Sequence, residues 1–238
     1  MCNTLRAYFE GKKHLFEDLK IYQWEKEWTA YPIIYIDFVS GDYTESSWTL
    51  VTKIRLALQT YEDNNGIKFD PNLIKDRIEE HKKANNTDDI SDGAMLSFRA
   101  EYDLMAVYNK TGLQTVILVD EYDNTLIKSA NLEKDKNIYR GFFSILKSSD
   151  KFLRFVFMTG ITKFAKTSIF SGTNQPYDLT LDMNYSAICG ITHKELADYF
   201  TDNIKQMAES KNKWRNNHPY HKKNSRRKLK HSAAIIII

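Results

Sequence analysis

The sequence predicts an α/β fold built on a largely parallel sheet with helices on both faces. Three observations carry that expectation. Short apolar runs rich in β-branched and aromatic residues recur at Ile33–Ile36, at Val116–Val119 and within the stretch FLRFVFMTG. Segments with apolar residues at three- and four-residue steps separate them, the spacing expected of helices that cross over between parallel strands. Each run closes on a polar residue: Asp37, Asp120 followed by Glu121, and Thr159.

Taken in order, Leu5, Tyr8, Phe9, Leu15, Phe16, Leu19 and Tyr22 keep helical spacing with a break at Gly11, which predicts two short helices between Thr4 and about Glu27. YPIIYIDFVS then reads as a buried strand ending on Asp37, and a helix is expected from about Thr44 to Asn64. NNGIKFDPN is a turn cluster in which Asp70 caps, and Pro71 opens, a helix reaching about Lys83. After the loop NNTDDISDG, a helix through Met95, Phe98, Tyr102, Met105 and Tyr108 should end in a left-handed cap at Gly112. The strand Thr115–Val119 follows, then a helix from about Asn137 to Ser148, then the strand closing on Thr159-Gly160. Beyond it ITKFAKTSIFSGTNQPYDLTLD is mixed in character. YSAICGIT is a short candidate strand, and Thr192 opens a helix with Glu195 placed for a capping box.

With 238 residues, 42% hydrophobic and 13% aromatic, the chain can bury a sizeable core in one domain. Cys2 and Cys189 lie too far apart for a metal motif, and the 6 histidines show no HxxxH or HExxH spacing, so no zinc site is indicated. No apolar run approaches the roughly 20 residues of a membrane span, and MCNTLRAYFEGKK lacks the core of a signal peptide. A cytoplasmic location without membrane contact is therefore expected. Charge is unevenly spread: residues 1–210 hold 25 basic and 31 acidic side chains, a net charge of −6, whereas Lys211–Ile238 hold nine Lys or Arg and no acid. This basic end shows no period before AAIIII and reads as a disordered tail with no partner for the isoleucines, or as an arm for nucleic acid or a protein partner. The expected organisation is a domain over 1–208 and a low-order tail over 209–238; oligomeric state leaves no signal.

The run VILVDEYDN places carboxylates where a parallel sheet binds its ligands, outside the carboxyl ends of the strands. An acid there, Asp120, can hold Mg²⁺ by way of water. The next, Glu121, can orient or deprotonate an attacking water, and a hydroxyl on the adjacent strand, Thr159, can sense a terminal phosphate. The same pattern also arises where an acid merely caps a following helix. Lys163 and Lys166 follow the Thr159 strand, placed either to meet phosphate oxygens or to form a solvated face. A different reading gathers Asp120, Glu121 and Asp123 around Mg²⁺ as a nuclease, with the basic tail holding phosphates, and another makes the tail a nucleic-acid-binding module.

VILVDEYDN, LRFVFMTGITKFAKTSIFSGTNQPYDLTLD and YSAICGIT, together with AYFEGKKHLFEDLKI and YPIIYIDF, resemble the AAA-ATPase-like family of bacterial proteins over about Thr4 to Phe200. The resemblance implies a three-layer, P-loop NTPase-like parallel sheet with ATP and Mg²⁺ as cofactors. It implies Asp120 as the Walker B acid and metal ligand, Glu121 as the catalytic carboxylate and Thr159 as the sensor. Asp123 completes the DEYD block and, with Asp120 and Lys163, is expected on the nucleotide-binding side. Family members commonly continue into a PD-(D/E)xK nuclease-like domain. A GxxxxGK[ST] phosphate loop is missing from the sequence, and Gly11-Lys12-Lys13 lacks the upstream glycine and the hydroxyl of one. In the family that loop immediately precedes the helix reading LRAYFEGKK. The expectation is thus a truncated chain whose sheet lacks the phosphate-loop strand beside the Thr159 strand, inactive as an ATPase by itself. Unpaired N–H and C=O groups in such a gap would cost on the order of 1–3 kcal/mol each. Either YSAICGIT moves in to pair there, or the chain tends to aggregate.

Overall fold

The Val116–Val119 run is buried residue after residue because its sheet is covered on both faces. The computed structural model describes residues 1–161, 169, 177–180, 182–185, 188, 193–217 and 234–237. Its strands are β1 (Ile33–Asp37), β2 (Thr115–Asp120), β3 (Leu153–Gly160), β4 (Tyr177–Asp178) and β5 (Ala234–Ile237), in the sheet order β1-β2-β3-β5-β4. β1, β2 and β3 are parallel, with Asp37 opposite Asp120 and Val119 opposite Met158. This is the parallel sheet expected from the sequence.

The helices lie close to their expected positions. At the N-terminus are α1 (Cys2–Phe9), a 3₁₀ turn at Lys13–Phe16 and α2 (Lys20–Trp24), separated near Gly11 as the spacing requires. α3 (Trp48–Asn65), α4 (Lys75–Asn85) and α5 (Asp92–Thr111) come between β1 and β2. Asp70 accepts from the Asn72 N–H and starts the 3₁₀ turn before α4, and Gly112 ends α5 at φ 71°. After β2 come α6 (Asn124–Ile127), α7 (Leu132–Phe143) and α8 (Ile145–Ser148). α6 is a single turn without a signal in the sequence pattern, and the helix expected from about Asn137 to Ser148 is two, α7 starting at Leu132 and α8 following the break at Ser144.

Period-two alternation sends Ile34, Ile36, Ile117 and Val119 to one face, where α3, α5 and α7 bury Ile54, Leu58, Leu104, Phe142 and Phe143. Val116, Leu118 and Phe157 go to the other face, against Cys2 of α1 and Leu179. α5 and α7 meet backbone to backbone: a Cβ on Gly141 would lie 2.7 Å from the Gly93 carbonyl carbon, so side chains cannot be added at that crossing.

The described chain divides into two units, Met1–Thr180 with Ala233–Ile238, and Leu181–Ser232. The second contains a 3₁₀ turn at Met183–Tyr185, α9 (His193–Tyr199) and α10 (Thr201–Asn217). α10 carries the first residues of the basic stretch, where the sequence shows no helical period. Lys205, Gln206, Met207, Ala208 and Glu209, good helix formers just before that stretch, carry the helix into it without an apolar stripe.

A further difference lies at the far side of the sheet. Ala234–Ile237, read from sequence as lacking a partner, pairs antiparallel with β3 (Phe157 opposite Ile237, Gly160 opposite Ala234) and with β4. β-branched residues suit any free edge whose N–H and C=O groups need partners, and the edge of β3 is one. The expected strand at YSAICGIT and the Thr192 cap fall largely outside the described residues. Among the described residues no helix is long and apolar enough to cross a membrane.

Candidate functional site

Because β2 and β3 are parallel neighbours, the turn leaving β2 and the last residues of β3 emerge at the same end of the sheet. There the Thr159 hydroxyl donates to Asp120 Oδ1. The Glu121 N–H points back to Thr159 Oγ1 at 3.4 Å, and the Tyr122 N–H donates to the Thr159 carbonyl at 2.9 Å. Thr159, 39 and 38 positions from Asp120 and Glu121 in sequence, therefore forms one cluster with them. Glu121 sits in the left-handed region at φ 49°, where a non-glycine residue costs on the order of 1–3 kcal/mol. Surrounding bonds hold it there. The buried Tyr122 carbonyl accepts from Tyr139 Oη at 2.8 Å, and Asn124 Nδ2 donates to the Phe38 carbonyl at 2.6 Å, tying the turn to the end of β1.

Asp123 is placed differently from its neighbours. Its side chain is buried at 1% exposure, and Oδ2 accepts from the Ile161 N–H at 3.0 Å, so it fastens the β2 turn to the chain leaving β3. Gly160 makes room for it, since a Cβ there would lie 2.5 Å from Asp123 Oδ1. Asp37, opposite Asp120, turns its carboxylate to the Val39 N–H at 2.7 Å. Lys163 and Lys166 lie outside the described residues.

Cys2, which carries no motif in the sequence, lies with Sγ 3.9 Å from the Val119 carbonyl and 4.0 Å from Thr159 Oγ1. Burial, with the Asp120 charge second, pushes its thiol up to about 12, so it stays protonated. The first turn of α1 thus abuts the Asp120–Thr159 pair. Asn124, Tyr139 and Gly160 were missed as well. Only Asn124 and Gly160 left a sequence signal, as turn-forming types next to strand ends; Tyr139 reaches the turn through tertiary packing alone.

The donor set suits a hard cation held by a single carboxylate, water and phosphate oxygens, which is the way Mg²⁺ is usually held in phosphoryl-transfer sites. Among the described residues no three His, Cys, Asp or Glu side chains gather to cage a metal. Of the three carboxylates that the nuclease reading groups, Asp123 is the buried one and accepts from the Ile161 N–H.

A family model described as predicted AAA-ATPase matches residues 1–170. An uncharacterised protein encoded in the vnfD 5′ region of Azotobacter chroococcum mcd 1 is 26% identical over 208 residues, covering 85% of this chain and 36% of that protein. The chain therefore spans about a third of that relative's length. No solved structure matches. With the family model spanning β1, β2, β3 and the Asp120–Thr159 tip, the chain belongs to the predicted AAA-ATPase family.

Proposed function

We propose that the Asp120–Glu121–Thr159 tip is the hydrolytic side of an ATP-binding site, working in the cytoplasm. The observation that carries this reading is the Thr159 hydroxyl donating to the Asp120 carboxylate across neighbouring parallel strands. Asp120 would hold Mg²⁺ through water, and the ion would supply positive charge to offset that of the phosphates. Glu121, raised on a left-handed residue at the lip, orients and deprotonates the attacking water. Thr159 positions the Asp120 carboxylate and reads the terminal phosphate. The start of α1 beside Thr159 favours negative charge at the same place.

The 238 residues contain no GxxxxGK[ST] segment to surround the phosphates, so ATP turnover by this chain alone is expected to be undetectable. Turnover that disappears in Glu121→Gln would overturn that expectation while supporting the role of Glu121. The site itself is tested by titrating Mg²⁺ and ATP into ¹⁵N-labelled chain. The amides of Asp120, Glu121 and Thr159 should shift first, and Asp120→Asn should suppress the shifts. Shifts centred elsewhere, or unchanged by Asp120→Asn, would remove the basis of the proposal.

A further inference from the structure

We propose that the outer edge of β1 is a strand-acceptor site for an extended peptide carrying acidic side chains at alternate positions. The argument begins with backbone parity. In a parallel strand the N–H and C=O of one residue point to the same side, and the next residue points to the other. The Val116 N–H donates to the Pro32 carbonyl at 2.9 Å and the Phe38 N–H donates to the Asp120 carbonyl at 3.1 Å. Even-numbered residues of β1 therefore face β2, and Ile33, Tyr35 and Asp37 face outward. Lys53 Nζ donates to the Asp37 carbonyl at 3.2 Å. The outward groups of Ile33 and Tyr35 have no partner among the described residues, and β1 stands at the end of the sheet order.

A free edge is usually shielded by a charge, a proline or an overlying element. Here it opens into a recess of about 630 Å³, with Ile33 and Tyr35 in its lining. α1 and the turn after it form one wall through Arg6, Glu10 and Lys12; α3 forms the other through Thr60 and Asn64. Arg6 Nε and Lys12 Nζ approach the two Glu10 oxygens at 2.8 and 2.5 Å, with side chains 41% and 50% exposed. Two cations against one carboxylate leave that wall net positive, while the α3 wall is neutral and polar. A strand added to Ile33 and Tyr35 would turn alternate side chains toward the two walls, so acids would meet Arg6 and Lys12 and small polar residues would meet Thr60 and Asn64.

The walls also select against a second copy of this chain. Its β1 sits between the same two walls, so two such edges cannot close to the roughly 4.8 Å strand spacing, whereas a single extended segment can enter.

The probe is a fluorescein-labelled, end-blocked pentapeptide alternating glutamate and threonine, followed by anisotropy against the full chain. Binding is expected, about tenfold weaker for the lysine-for-glutamate peptide and for Arg6→Gln. Thr60→Trp, which fills the recess from an exposed helix position, should abolish it. N-methylation of the peptide amides that face β1 should abolish binding, and methylation of the others should not. Hydrogen exchange at the Ile33 and Tyr35 amides should slow when peptide is bound. The proposal is overturned by absence of binding, by equal affinity for the N-methylated peptides, by unchanged exchange at Ile33 and Tyr35, or by a dimer pairing two β1 edges.

Discussion

On one face of the sheet, α3, α5 and α7 bury Tyr61, Leu104, Tyr139, Phe142 and Phe143 almost completely; on the other, α1 and the aromatic segment after it leave Phe9, Ile33, Tyr35 and Phe155 only partly covered. The same strands supply alternate side chains to both. The contrast comes from what lies above them, three long helices against an eight-residue one. The thick face is dry enough to bury a carboxylate: Asp103 is 0% exposed, neither of its oxygens has a hydrogen-bond partner among the described residues, and the Arg99 guanidinium stands 3.9 Å from Oδ2. The thin face instead layers rings edge to face, Tyr8 on Phe9 at 5.0 Å and Phe9 on Tyr31 at 6.0 Å, and rests Arg6 over the Tyr35 ring. The α1 face is thus buried at its centre, at Val116, Leu118 and Phe157, and thins toward the β1 edge, where the recess opens between α1 and α3.

The sharpest way to break this comparison is to truncate one phenylalanine on each face. Phe142→Ala should cost about 3–5 kcal/mol, and Phe9→Ala less than about 2 kcal/mol, because a half-covered site can collapse or admit water. Equal losses in denaturant titrations would mean that the two faces are equally packed.

Asp103 tests the dryness of the thick face by pH. Burial, reinforced by the Glu62 charge and opposed by Arg99, pushes its carboxyl from the ordinary 3.8 up to about 8. In the unfolded chain the acid ionises near 3.8, while in the fold it keeps its proton to about 8, so the folded chain binds more protons within that window. Its contribution to stability is fully present below about pH 4 and is lost as pH rises through 8. Asp103→Asn should flatten this slope and stabilise the protein by about 1–3 kcal/mol at pH 8. An unchanged slope between pH 4 and 8 would show that Asp103 is already ionised and solvated.

The lip of the sheet, where the two faces meet, gives smaller effects. Gly160→Ala should cost about 1–3 kcal/mol by pressing a methyl group on Asp123, and exchange at the Ile161 amide should quicken. A neutral result would show that the β2 turn moves freely. Glu121→Gly should raise stability by up to about 1 kcal/mol, since glycine accepts φ 49° without strain, while removing the proposed catalytic carboxylate. A loss of stability would mean that the Glu121 side chain supports the turn.

The strands were legible because parallel strands covered on both faces are apolar at successive positions; 116–119 could be read without any knowledge of which face each residue serves. Gly112 and Asp70 were legible because caps depend on residues adjacent in sequence. The joint between α7 and α8 at Ser144 was not: the Ser144 hydroxyl donates back to the Gly141 carbonyl three residues earlier, and it also lies 3.1 Å from Ser97 Oγ, a contact that only the packing of α5 creates. In the candidate site, Asp120 and Thr159 could each be placed at the end of a parallel strand from local pattern alone, though not the bond between them. Asp123 could not be separated from Asp120 and Glu121, because three acids within four positions look alike until a turn sends one inward.

By itself the amino-acid order determined that acids and a hydroxyl would close apolar parallel strands, because strand character and strand ends are local properties of composition and period. Tertiary structure alone decided that the Thr159 hydroxyl bonds Asp120, that Asp123 accepts from the Ile161 N–H, that Cys2 abuts the tip and that Ala234–Ile237 pairs with β3. Each of these joins residues more than thirty positions apart. Such contacts depend on which strands become neighbours and in what register, and side-chain sequence encodes that only through the packing of the whole molecule.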